Sequence, residues 1–74
     1  MELDTVNIIE YADDQVLGIT SYDESTEGNA EAEGRFFGLV KGHDKEATDE
    51  EIAGFMDDGY YEQGTYQVFI VHSN

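Results

Sequence analysis

A net charge of −15 on 74 residues constrains this chain more than any other feature. Eighteen Asp and Glu stand against three Lys and Arg, whereas a small domain stays dispersed with a net charge of about 2–8 in magnitude. The surplus opposes compaction through self-repulsion. A folded form therefore needs something to offset it: a basic partner surface, bound cations or a high-salt habitat. Disorder is the remaining outcome, and the residues argue against it. Acidic chains that fail to fold are poor in aromatic and β-branched residues; here aromatics reach 12% and fall in short, strand-like runs. The expectation is one domain, residues 1–74, with a thin core, because chains near 60 residues bury only about 60% of their unfolded surface.

Several absences narrow the class. Without cysteine there is no disulfide framework, thiol nucleophile or thiolate metal site. No apolar stretch approaches the roughly 20 residues that span a bilayer. The start, Met1-Glu2-Leu3-Asp4, is acidic and lacks the basic n-region of a secretory signal. Anionic lipid and nucleic acid would both be repelled, so direct binding to either is not expected. These features predict a cytoplasmic protein with a positively charged protein partner and no cofactor.

The pattern of apolar residues predicts β-β-β-α-β in an α+β fold: a mainly antiparallel sheet with one helix on one face. Val6 to Tyr11 and Val16 to Tyr22 read as strands around a turn at Ala12-Asp13-Asp14-Gln15. In the second of these, Leu17 and Ile19 are expected inward, with Val16, Thr20 and Tyr22 on the other side. Residues 23–34 (DESTEGNAEAEG) read as a long acidic connection, and Arg35 to Val40 as a third strand. Thr48 and Glu51 form a capping box for a helix whose apolar stripe is Ile52, Phe55 and Met56. Gly59 is its expected left-handed end. After Tyr60-Tyr61-Glu62 and a Gln63-Gly64 turn, Thr65 to His72 forms the last strand. Its unbroken run Val68-Phe69-Ile70-Val71 suits a strand covered on both sides.

Placement of the acids gives the functional expectation. Glu50, Glu51, Asp57 and Asp58 lie opposite the apolar stripe of the capped helix. The first two suit the positive end of the helix dipole, but Asp57 and Asp58 sit at the other end, where a carboxylate costs about 0.3–1 kcal/mol. Such violations of a local rule mark functional positions. Acids recur between elements at Asp13-Asp14, Asp23-Glu24, Glu27, Glu31, Glu33, Asp44, Glu46 and Glu62. Positions i and i+2 of a strand advance about 6.8 Å, close to two DNA phosphates at about 3.4 Å each. Helical neighbours at i+3 and i+4 stand about 5–6 Å apart. Carboxylates at these spacings can imitate a phosphate array toward a protein that grips DNA. Asp13, Asp14, Asp23, Glu24, Glu50, Glu51, Asp57 and Asp58 are the candidate phosphate mimics. Tyr60 and Tyr61, flanked by acids, are the candidate aromatic anchors.

A small, very acidic, cysteine-free chain with a sheet and one helix resembles the phage-encoded DNA-mimic inhibitors, which include anti-CRISPR proteins and the uracil-DNA glycosylase inhibitor. Tyr22-Asp23-Glu24-Ser25-Thr26 is similar to the YDEST segment of the glycosylase inhibitor, which also follows a strand there. That family's first-strand Glu-Ser-Ile signature is absent, so no binding residue carries over. The resemblance implies occupation of the basic channel or PAM-reading surface of a CRISPR effector complex in the host cytoplasm. Uracil-DNA glycosylase inhibition or another anti-restriction role is its alternative.

Three rival readings draw on the same residues. Asp23-x-Ser25-x-Glu27-Gly28-x-x-Glu31 matches EF-hand positions 1, 3, 5, 6 and 9, but Gly34 stands where the bidentate Glu belongs, so no metal site is expected. An acidic structural or interaction domain of a halophile would carry the same composition, since molar salt shortens the Debye length to about 3 Å. Catalysis is not expected. His43 and His72 lack metal-ligand spacing, Ser21, Ser25 and Ser73 lack a nucleophile-elbow context, and so short a chain leaves little room for a cleft.

Overall fold

The computed structural model describes residues 4–73, so the reading of Met1-Glu2-Leu3 lies outside the described residues. Elements run β1 (Thr5–Ala12), β2 (Gln15–Asp23), α1 (Thr26–His43), α2 (Asp49–Asp58), β3 (Tyr60–Gln63) and β4 (Tyr66–Ser73). The result is a small α+β fold with a four-stranded, antiparallel open sheet, ordered β2-β1-β4-β3, and two helices. The class and the antiparallel sheet are as expected. The element order is β-β-α-α-β-β, which corrects the expected β-β-β-α-β.

The first hairpin forms at the anticipated turn. Asp13 (φ 53°) and Asp14 (φ 64°) both hold left-handed backbone, the type I′ geometry whose twist matches the flanking strands. Register between β1 and β2 slips beyond Glu10, leaving Leu17 unpaired in a bulge. The expected faces of β2 are reversed. Tyr22 packs against the core beneath the helices, whereas Ile19 is 60% exposed on the other side. Pairing of Val6 with Tyr22 and Ile8 with Thr20 forces this choice, because the buried Val6 and Ile8 put their whole register rows on the helix side.

The largest correction concerns residues 26–43. The acidic connection and the third strand are one 18-residue helix. Ser25 caps it by accepting a hydrogen bond from the Gly28 N–H at 3.0 Å. The seam is Gly28, Ala32, Phe36 and Val40, all buried and each four residues apart. Phe36 and Val40 are therefore helical neighbours in the core, not members of a strand. Gly28 is required by close approach: a Cβ there would lie 1.7 Å from the Asp23 carbonyl oxygen. With Ser25 a cap and Glu27 and Glu31 on a helix, the EF-hand-like spacing has no loop to wrap an ion.

Helix α2 matches its sequence signature. Thr48 accepts from the Glu51 N–H, and the Glu51 carboxylate accepts from the Thr48 N–H at 2.9 Å. Gly59 (φ 85°) closes the helix in left-handed backbone. Tyr60–Gln63, given no strand in the sequence reading, forms β3 and joins β4 through Gly64 (φ 62°) and Thr65. One core serves the fold: Val6, Ile8, Ala32, Phe36, Val40, Ala47, Ile52, Tyr61 and Val68. It lies on one face of the sheet, under both helices. The run 68–71 is therefore covered on one side only, with Val68 fully buried and Val71 40% exposed.

Candidate functional site

Each carboxylate singled out in the sequence lies at the surface, and the topology sorts them into groups. Asp13 and Asp14 form the tip of the β1–β2 hairpin, where the Asp13 N–H bonds to the Thr65 carbonyl and ties the tip to the β3–β4 turn. Asp23 and Glu24 stand at the opposite end, about 26 Å away along the eight-residue β1. Asp57 joins that second end, lining a groove of about 230 Å³ with Asn29, Ala32, Glu33, Met56 and His72. His72 in turn holds Glu24, Nδ1 to Oε2 at 2.8 Å. Glu24, Glu33 and Asp57 thus gather around His72, between α1 and the end of α2, with Asp23 and Asp58 adjacent to two of them in sequence. Glu50 and Glu51 lie about two turns back along α2.

Two of the candidate residues have other roles. Tyr61 is only 3% exposed, with its ring edge-on to Phe55 at 5.1 Å and its hydroxyl donating to Gln63 at 2.7 Å. Burial raises the pKa of its phenol. It is a core residue, not an anchor for a partner. Strand alternation sends its neighbour Tyr60 to the other face, where it is 49% exposed. Glu51 is exposed but committed to the capping box. The Thr48 backbone N–H and hydroxyl hold its carboxyl below the usual range.

Electrostatically, the surface is almost unneutralised. The hydrogen bond between Glu24 and His72 is the one close acid–base contact among the described residues, and it lowers the Glu24 pKa. Arg35 and Lys41 make no ion pair there: Lys41 donates to the Ala47 carbonyl at 2.6 Å, across the α1–α2 connection. No group of three or more potential metal-ligating side chains occurs among the described residues. No helix there is long and apolar enough to cross a membrane.

Sequence order did not foreshadow the company His72 keeps. It also gave no sign of a second polar group beneath α1, where Tyr66 donates to Glu10 at 2.7 Å and stacks on His43 with centroids 4.1 Å apart. Burial and Glu10 together push the Tyr66 phenol well above its ordinary pKa. Both groupings depend on α1 lying over the sheet, which the strand reading of residues 35–40 concealed.

No protein-family model, curated protein or solved structure matches this chain.

Proposed function

We propose that this protein is a non-catalytic DNA-mimic inhibitor, occupying the basic nucleic-acid-binding surface of a host defence complex. Its most specific form is an anti-CRISPR protein that blocks target-DNA or PAM recognition in the host cytoplasm. The observation that carries the reading is the unneutralised carboxylate surface: acids crowd both ends and both helices, and the chain's own Lys and Arg pair with none of them among the described residues. Such carboxylates are available to Arg and Lys of a partner, and guanidinium groups that read PAM bases or phosphates donate to carboxylates in the same bidentate way. The acidic ends, about 26 Å apart along β1, match the axial run of roughly eight phosphates of one DNA strand at about 3.4 Å each. Asp13 and Asp14 at one end, with Asp23, Glu24, Asp57 and Asp58 at the other, are the phosphate mimics in this reading.

A tagged pull-down from a bacterial lysate containing an active CRISPR effector, at physiological salt with and without duplex DNA, tests it. The expected result is retention of a basic DNA-binding complex that added DNA displaces. Retention of nothing basic, together with circular dichroism showing a fold only in molar salt, would overturn it and make the charge a habitat adaptation.

A further inference from the structure

The helices cover one face of the sheet and leave the other bare. Strand register lays Ile19, Ile9, Phe69 and Tyr60 in one row across all four strands: Ile9 pairs with both Ile19 and Phe69, and Tyr60 pairs with Phe69. Tyr11 meets Phe69 edge-on at 5.9 Å, and Tyr60 lies over Phe69 at 6.3 Å. Every large hydrophobic residue that is exposed among the described residues, namely Val16, Leu17, Ile19, Tyr60 and Val71, belongs to this face or to the β2 bulge at its edge. Toward the β2–α1 end the face turns neutral and polar. There Ser21 donates to Asn7, and Asn7 donates to Ser73 and to the Val71 carbonyl.

Charge is sparse on this face and confined to its margins. Register places two acids of the described strands there: Asp23 at the far end of β2, and Glu62 on the β3 edge, held by the Gln67 amide. That decides the occupant. A basic partner would gain little from a neutral apolar surface, and an apolar patch larger than a few hundred Å² marks a contact site. We propose that the bare sheet face binds a second copy of this chain, forming a face-to-face β-sandwich dimer about a two-fold axis near Ile9.

Electrostatics permits this despite the net charge. Two sheets pack about 10 Å apart, and a helix layer stands beyond each. The acidic helix faces of the two copies then lie several Debye lengths apart at the physiological value of about 8 Å. Strand length and spacing give the face a footprint of about 450 Å² per copy, so the pair buries on the order of 1,000 Å² once side-chain relief is counted. That is the lower bound of a specific interface, and it predicts a reversible dimer. Because the contact is apolar, salt strengthens it, whereas binding of the acidic surface to a basic target weakens with salt.

Sedimentation equilibrium on the full chain from about 1 to about 100 μM, at low and at high salt, tests the proposal. Wild type is expected to show the mass of two copies at the upper concentrations, with tighter association in high salt. Ile19→Lys places a charge in the apolar row without touching the core and should weaken association at least about tenfold. Asp57→Asn, on the helix side, should leave association unchanged. Circular dichroism confirms that both variants fold. A wild type that stays monomeric throughout, or a dimer that Ile19→Lys leaves intact, would overturn the proposal. Capture of a different protein by a monomeric chain through this face would count against it equally. None of these outcomes bears on whether the acidic surface binds a defence complex.

Discussion

Asp13 and Asp14 occupy backbone that costs an L-residue free energy and that an Asn-Gly pair would occupy with less strain. Two adjacent carboxylates held there, repelling each other at a hairpin tip, violate two local preferences together. The double variant Asp13→Asn, Asp14→Gly should stabilise the fold by about 1 kcal/mol and raise the thermal midpoint by about 4–8 °C, read by circular dichroism. On the mimic reading the same variant binds its target more weakly. Glu24 and Glu51 each make a contribution that depends on acid pH. Their folded-state pKa values lie below the ordinary carboxylate value of 4.5, so the unfolded chain takes up protons first as pH falls. Their stabilisation is fully present above that value and is lost as pH drops through the folded pKa. Denaturant titrations from about pH 6 down to about pH 3 should show Glu51→Gln losing less stability than wild type as pH falls below about 4.5, because it keeps the cap but no longer titrates.

At the scale of elements, α2 was legible and α1 was not, for opposite reasons. In α2 the signals are local: Thr48, Glu51, the Ile52-Phe55-Met56 stripe and Gly59 each act on backbone within one turn. In α1 four glycines interrupt the helix, its seam opens with Gly28 and Ala32, and Phe36-Phe37 with Leu39-Val40 mimics a strand. What makes it helical is the sheet beneath, against which an i, i+4 row of small and then large residues packs. Asp57 and Asp58 oppose the α2 dipole at its C-terminal end. Reversing both to Lys should leave the fold intact and raise the thermal midpoint by a few degrees, while weakening capture of the partner in the pull-down. Unchanged capture would remove α2 from the interface.

For the whole molecule, the charge is a long-range destabilising load that salt relieves. Raising ionic strength from about 0.01 to about 0.15 M shortens the Debye length from about 30 to about 8 Å, so the thermal midpoint should climb steeply over that interval and then level off. A midpoint that climbs only above molar salt would mark a halophile's protein instead. The acidity, the antiparallel α+β class, the first hairpin turn, the α2 caps and the β4 strand are determined by the sequence itself, because each rests on composition or on neighbours within a few residues. Tertiary structure alone decided that residues 26–43 form a helix, that Tyr61 is buried while Tyr60 is not, and that β2 turns Ile19 outward. A strand's inward face and a weakly amphipathic helix's identity depend on which residues oppose them. Here Val6, Ile8 and Val68, distant in sequence, form the surface on which Phe36 and Val40 settle.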